Sequence, residues 1–201
     1  MASKPTPRLH LASSSPRRRE ILEALGLKFT VASVDVVEEL EAGESAEQMV
    51  LRLAAAKAAA AEVEATRVVI GSDTAVVLGD EVLGKPSGRD DAVAMLLKLS
   101  GRRHCVLTGV AVRGPQGVQT ALSSTEVLFR EISQDEALAY WQSGEPLDKA
   151  GAYGIQGRGG VFVAAISGSY SGVMGLPVYE TAQLLRTAGI DTLLQRKDDG
   201  G

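Results

Sequence analysis

The chain of 201 residues has a single cysteine, Cys105, and only two histidines, His10 and His104. One thiol cannot close an internal disulfide, and a cysteine-based zinc site is excluded with it. Aromatic residues make up only 4% of the chain, too few for a platform on which single-stranded nucleic acid would stack. A basic excess is also missing. The net charge of −4 and pI near 5.3 do not suit a duplex-binding surface, but they leave room for a small anionic ligand held by a few local cations. No apolar run approaches the roughly 20 residues that a membrane helix needs. The Ala-rich stretch from Leu53 to Ala65 is interrupted by Lys57, Glu62 and Glu64. Met1 to Arg8 is polar, carries two prolines and lacks the apolar core of a secretory leader. These absences predict a soluble cytoplasmic protein in a reducing compartment, with no nucleic-acid or membrane partner.

What is present points to an α/β fold. Hydrophobic residues make up 45% of the chain, which suits one globular unit or two closely joined lobes. Arg8 to Ala12 reads as a strand. Ser13-Ser14-Ser15-Pro16 reads as a helix start, with a serine capping free N–H groups and Pro16 in the first turn; the helix runs to Leu25 and stops at Gly26. Phe29 to Val36 follows as a strand. Ser45-Ala46-Glu47-Gln48 matches a capping box and opens a helix reaching about Thr66. Val68 to Gly71 is a short apolar strand, after which Ala75 to Leu78 and Glu81 to Leu83 flank a Gly79-Asp80 turn. Asp90 to Leu99 is helical. Cys105 to Val112 and Gln119 to Phe129 pair antiparallel around Gly114-Pro115-Gln116-Gly117, which makes the sheet mixed. A second capping box at Ser133 starts a helix ending near Ser143. Gly144 to Gly160 holds six glycines in seventeen residues, too many for a regular element. Val161 to Ile166 is a strand, Pro177 begins the last helix, and residues 196–201 read as a disordered tail.

Three segments carry candidate chemistry. In the first, Ser13-Ser14-Ser15-Pro16-Arg17-Arg18-Arg19, arginines sit at a helix N-terminus whose partial positive charge they oppose. A phosphate bound by Ser13, Ser15, Arg17 and Arg18 would reverse that conflict; a solvated basic patch is the alternative. On this reading, loss of either Arg17 or Arg18 leaves the ligand-free protein no less stable. In the second, Gly71-Ser72-Asp73-Thr74 is expected just beyond the carboxyl end of an apolar strand, where α/β sheets gather ligands. Asp73 there can bind a divalent ion or orient water, or merely shape a turn. Glu38 and Glu39 follow another strand and can add a carboxylate, with Glu39 read as surface; Lys85 lies on a loop returning to the same edge. In the third, the Gly-rich segment offers Gln156, whose amide both donates and accepts and so suits a nucleobase edge. An ordinary surface loop is the alternative. Cations for phosphate, carboxylates for a metal and no nucleophile with its own base suit hydrolysis of a phosphate ester or anhydride by metal-bound water.

Leu11-Ala12-Ser13-Ser14-Ser15-Pro16-Arg17-Arg18, Gly71-Ser72-Asp73-Thr74, Gly84-Lys85-Pro86, the run Glu145-Pro146-Leu147-Asp148-Lys149-Ala150-Gly151-Ala152-Tyr153-Gly154-Ile155-Gln156-Gly157, and Gly175-Leu176-Pro177 occur in order along the chain. Together they resemble the Maf family. The resemblance implies a single domain over residues 1–201, a mixed twisted sheet with flanking helices in two lobes around a central cleft, similar to the inosine-triphosphate pyrophosphatases, and a homodimer. It implies hydrolysis of nucleoside triphosphates between the α and β phosphates, with a divalent metal, magnesium or manganese, and cobalt as a further candidate. By position, Asp73 is the implied proton acceptor for water, and Arg17, Thr74 and Gln156 are substrate-selective. Glu38, Lys57 and Lys85 line the cleft, with Glu38 the metal partner of Asp73. Thr after the key Asp resembles the subgroup acting on dTTP and UTP, with modified pyrimidine nucleotides also open. Gly172 departs from the Asn common there, which puts a peripheral contact in doubt. The competing expectation is a nucleotide-binding regulator of septum formation without turnover.

Overall fold

The fold comes from a computed structural model in which residues 9–194 are described. Arg8 and the tail of residues 196–201 lie outside them. Among the described residues, seven strands form one mixed sheet in the order β2-β1-β3-β5-β6-β7, with β4 pairing on β3 beside β1. The strands are β1 (Leu9–Ala12), β2 (Phe29–Ala32), β3 (Val68–Leu78), β4 (Glu81–Leu83), β5 (Arg103–Gly114), β6 (Gly117–Phe129) and β7 (Val163–Ser167). β1 lies parallel to both β2 and β3, and the remaining pairings are antiparallel. The helices are α1 (Pro16–Ala24), α2 (Ala46–Ala60), α3 (Arg89–Leu99), α4 (Gln134–Gln142), α5 (Tyr170–Met174) and α6 (Val178–Thr187). Among the described residues, no helix is long and apolar enough to cross a membrane.

The expected mixed α/β architecture is present, and both capping boxes form. Ser45 accepts from the Gln48 N–H while Gln48 accepts from the Ser45 N–H, and Ser133 and Glu136 do the same. Three expectations are corrected. The serine cap of α1 does not form: Ser15 occupies the N-cap without a side-chain bond, and Ser13 Oγ instead accepts from the Ser15 N–H at 3.2 Å. α2 ends at Ala60, short of Thr66, because Arg113 on β5 donates to the Ala59 and Ala61 carbonyls, each at 2.8 Å, and so completes the helix end. β2 stops at Ala32, four residues short of Val36.

Helix α2 lies unusually close to the sheet, and two glycines permit it. A Cβ on Gly71 would fall 2.2 Å from the Ala54 carbonyl oxygen, and one on Gly109 would fall 2.3 Å from that of Val50. The alanines of α2 serve the same approach, with Ala54 and Ala58 fully buried against Val69 and Ala111. α1 and α6 cover the other face around Leu11, Ile70, Val110 and Leu185. α3, α4 and the Gly-rich segment close its far end around Val76, Leu96, Phe129 and Tyr153. The close seat of α2 has a functional consequence: it brings Lys57, only 7% exposed, down onto β3.

Candidate active site

A gap in the sheet creates the site. β5 covers one edge of β3 continuously from Val69 to Val77. The opposite edge is shared, with β1 pairing Val68 to Ile70 and β4 pairing Val76 to Leu78, so residues 71–75 meet neither strand. A cleft of about 870 Å³ opens at this gap, lined by Ser13 to Arg18, Glu38, Lys57, Asp73, Thr74, Lys85 and Gln156. Every residue expected to contribute to the site therefore reaches one cavity.

Asp73 does not lie beyond a strand end, as expected, but in mid-strand. Pairing with β5, where Asp73 stands opposite Gly109, draws Gly71 to Thr74 into one continuous β3. The pleat separates the two neighbours. Successive strand residues face opposite sides, so Asp73 and Thr74 reach the cleft around the open edge of β3 with different neighbours. Asp73 meets α2. Thr74 meets Thr108 across the ladder and Arg18 beyond it, at 3.0 and 3.4 Å. Thr108 commits its proton to the Gly172 carbonyl at 2.8 Å, so Thr74 must donate to Thr108 and offers the cleft only an acceptor lone pair. Gly172 takes part through its backbone carbonyl and does not itself line the cleft.

The charges form one connected network. Lys57 Nζ donates to Asp73 Oδ1 at 2.7 Å and also to Glu38 Oε1, and Lys85 Nζ reaches Glu38 Oε2 at 3.3 Å. Partial burial alone would raise the Glu38 carboxyl, but the hydrogen bond and charge of Lys57, with Lys85 behind it, hold it below its ordinary value. Asp73 Oδ2 has no protein partner among the described residues. The same residues include no group of three or more His, Cys, Asp or Glu arranged around a metal position. Two carboxylates meeting at one ammonium nevertheless fit an ion that arrives with its substrate, since magnesium commonly takes one or two carboxylates and completes its shell with phosphate oxygens and water.

The two arginines turn out unlike. Arg18 is fastened by three bonds: Nε to the Gly175 carbonyl at 2.8 Å, Nη1 to Ser13 Oγ at 3.1 Å and Nη2 to Thr74. Burial draws its pKa down, against the opposing charge of Asp73. Among the described residues Arg17 has one partner, Asp148 at 3.2 Å, and that aspartate is mostly exposed. The expectation that either arginine is dispensable for ligand-free stability therefore fails for Arg18. Arg18→Ala removes three bonds at once and leaves the Gly175 carbonyl with Ser72 Oγ, at 2.9 Å, as its remaining side-chain donor, a loss of about 1–3 kcal/mol. At about 2–4 °C per kcal/mol for a chain of this size, melting without nucleotide should fall by several degrees. Arg17→Ala removes only an exposed pair worth under about 1 kcal/mol, so its melting temperature should hold while the KM for nucleotide rises. Equal melting losses in both variants would show that Arg17 is structural too.

The Gly-rich segment folds as three short 3-10 turns, Glu145–Asp148, Ala150–Ala152 and Arg158–Phe162. Gly151 and Ala152 both adopt positive φ, +67° and +58°, which for a buried alanine is a strained conformation. Gln156 is exposed on this segment at the cleft, and its amide has no partner among the described residues.

A family model, Maf-like protein, matches residues 8–188. The chain belongs to the Maf family. Among its relatives, the dTTP/UTP pyrophosphatase of Saccharophagus degradans is 54% identical over 182 residues, covering 88% of this chain and 87% of that one. That of Vibrio cholerae is 54% identical over 180 residues, covering 89% and 96%. That of Hahella chejuensis is 50% identical over 187 residues, covering 91% and 93%. Among solved structures, the Ham1 protein of Staphylococcus aureus aligns with 20% identity and a TM-score of 0.43, over 63% of this chain and 72% of that one.

Within this Maf chain, the motif reading passed over Thr108 and gave no role to Glu145, Asp148 and Gly175, although its runs contain them. Each acts by a hydrogen bond to a residue distant in sequence, which spacing does not show. The one available signal lay in Gly154, Gly157 and Gly159: repeated bare Cα positions mark where something bulky must come close.

Proposed function

We infer that the protein hydrolyses dTTP and UTP to the nucleoside monophosphate and pyrophosphate. The observation that carries this reading is the convergence of Asp73, Glu38, Lys57, Lys85, Arg17 and Arg18 on one cleft, with a free amide, Gln156, at its rim. The half-identical relatives named for this activity support the choice of substrate.

The triphosphate lies where the cations are. Arg17 and the uncapped N–H groups of α1 receive phosphate oxygens, and Arg18, already fixed by Gly175 and Ser13, points its charge without needing to reorder. Asp73 Oδ2 accepts a proton from water as the oxygen of that water bonds to the α-phosphorus. The bond from the α-phosphorus to the bridging oxygen breaks, and pyrophosphate leaves toward Lys85 and Arg17. Lys57 holds the Asp73 and Glu38 carboxylates in place. Asp73 and Glu38 would hold a divalent ion, whether magnesium, manganese or cobalt, which would supply charge neutralisation and a more acidic water. Gln156 pairs with the pyrimidine edge, while Thr74 limits the space and offers only an acceptor. The family resemblance also supports a homodimer, readable from its sedimentation mass, and the single cysteine suits a reducing cytoplasm.

A nucleotide panel with mass-spectrometric product identification tests the reading. dTTP and UTP should exceed ATP and GTP by at least about tenfold in kcat/KM, because a base-reading site leaves buried groups unpaired with the wrong base. Pyrophosphate should be the first product. Orthophosphate first would overturn the reaction, a purine preference would overturn the substrate, and stoichiometric binding without turnover would favour a regulator.

A further inference from the structure

The side chain of Gln156 is free, but its backbone is not. On its N-terminal side, the Gly154 N–H donates to Tyr140 Oη at 3.0 Å. On its C-terminal side, the Arg158 N–H donates to Glu145 Oε2 at 2.8 Å and the Gly159 N–H to Glu145 Oε1 at 3.1 Å. Tyr140 on α4 closes the circuit by donating its hydroxyl proton to Glu145 Oε1 at 2.7 Å. Neither Tyr140 nor Glu145 lines the cleft. The fit is close enough to dictate glycines: a Cβ on Gly157 would stand 2.5 Å from the Glu145 carboxylate, and one on Gly159 would stand 2.6 Å from the Tyr140 oxygen. The Tyr140 ring is itself held edge-on against Phe162, with centroids 5.2 Å apart.

We propose that Glu145, acting with Tyr140, is a positioning residue that sets base selectivity by fixing the backbone on either side of Gln156. The proposal rests on the reading of Gln156 as the group that pairs with the base. All the neighbours aimed at the carboxylate are donors, so the position requires acceptors on both oxygens. A glutamine there must turn its NH2 toward a backbone N–H or toward the Tyr140 hydroxyl, and at least one bond is replaced by a donor–donor contact. The turn bearing Gln156 then loosens, although no group touching substrate has been altered. Selectivity should fall further than chemistry, because a misplaced amide costs a correct base its bonds and costs a wrong base nothing.

The test measures kcat and KM for dTTP and GTP in wild type, Glu145→Gln, Gln156→Ala and the double variant. Glu145→Gln should reduce the ratio of kcat/KM for dTTP over GTP by at least about tenfold, chiefly through the KM for dTTP, with kcat on GTP changed by less than about threefold. In the Gln156→Ala background, the same substitution should change that ratio by less than about twofold, because both act through one amide. Equal losses on both nucleotides, or losses that multiply in the double variant, would overturn the proposal and make Glu145 a merely structural residue. Should Glu145→Gln fail to fold, Tyr140→Phe keeps the ring packing and removes one donor; a folded Tyr140→Phe with undiminished selectivity also overturns it. A wild type indifferent to the base overturns the functional reading and this proposal together, whereas a selective wild type whose preference survives Glu145→Gln overturns the proposal alone.

Discussion

Asp73→Asn should lower kcat/KM for dTTP by at least about a hundredfold while leaving melting within a few degrees of wild type. The two halves of this expectation come from the two oxygens of one carboxylate. Oδ1 accepts from Lys57 at 2.7 Å, and an asparagine carbonyl can keep that bond, so the seat of α2 on β3 survives. Oδ2 is the free oxygen, and in asparagine its place is taken by NH2, which donates and cannot take a proton from water. Loss of a general base costs about 10²–10⁴ in rate, and here the loss of one negative charge beside Lys57 also weakens any bound divalent ion. Steady-state kinetics with a thermal melt separates the outcomes. A variant keeping a tenth or more of wild-type turnover would remove Asp73 from the role of base, and a large fall in melting temperature would make it chiefly a structural anchor for Lys57.

Local chemistry made much of this architecture legible. The capping boxes at Ser45 and Ser133 form because each is a contact between residues three apart, and the hairpin at Gly114–Gly117 forms for a similar reason. The residue types in the cleft were readable only as candidates: the cation-rich helix start admitted an anionic ligand or a solvated patch, and spacing did not set it beside Asp73. What could not be read was imposed from a distance. Gly71 to Thr74 look like a turn in isolation, yet pairing with Ala111 to Thr108 on β5 makes them strand. That single change places Asp73 and Thr74 on opposite faces. Gly71 is there for α2, not for a turn: only a bare Cα lets the Ala54 carbonyl approach. The contrast between Arg17 and Arg18 was hidden in the same way, because Gly175 meets Arg18 only after α5 has folded against α1.

Lys57→Met should prove the more damaging change to the folded protein, and its pH dependence should run opposite to intuition. Methionine fills the space of the buried stem but removes the ammonium that Asp73 and Glu38 share. Breaking a fully buried pair from one side costs about 3–5 kcal/mol. Glu38 is half open to solvent, so a smaller loss of about 2–3 kcal/mol is expected, or roughly 5–10 °C in melting temperature at pH 7. In wild type, Lys57 holds the Glu38 carboxyl below its ordinary value. That contribution is therefore complete above the unfolded carboxyl pKa of 4.5 and is lost only as pH falls through the lower folded value. In the variant, Glu38 keeps only the exposed Lys85 at 3.3 Å and loses the hydrogen bond and charge of Lys57 that outweighed its burial, so its carboxyl moves up from the wild-type value. The folded variant then binds more protons than folded wild type, so its penalty shrinks as pH falls from 7 toward the carboxyl range. The melting difference between wild type and Lys57→Met should narrow over that interval. Magnesium or manganese without nucleotide should also raise the variant's melting temperature more than wild type's, because the ion then meets two carboxylates with no resident ammonium to displace. A difference that stays constant or widens on acidification, with no added response to metal, would show that Lys57 acts on neither carboxylate and that the three side chains do not form one charge network.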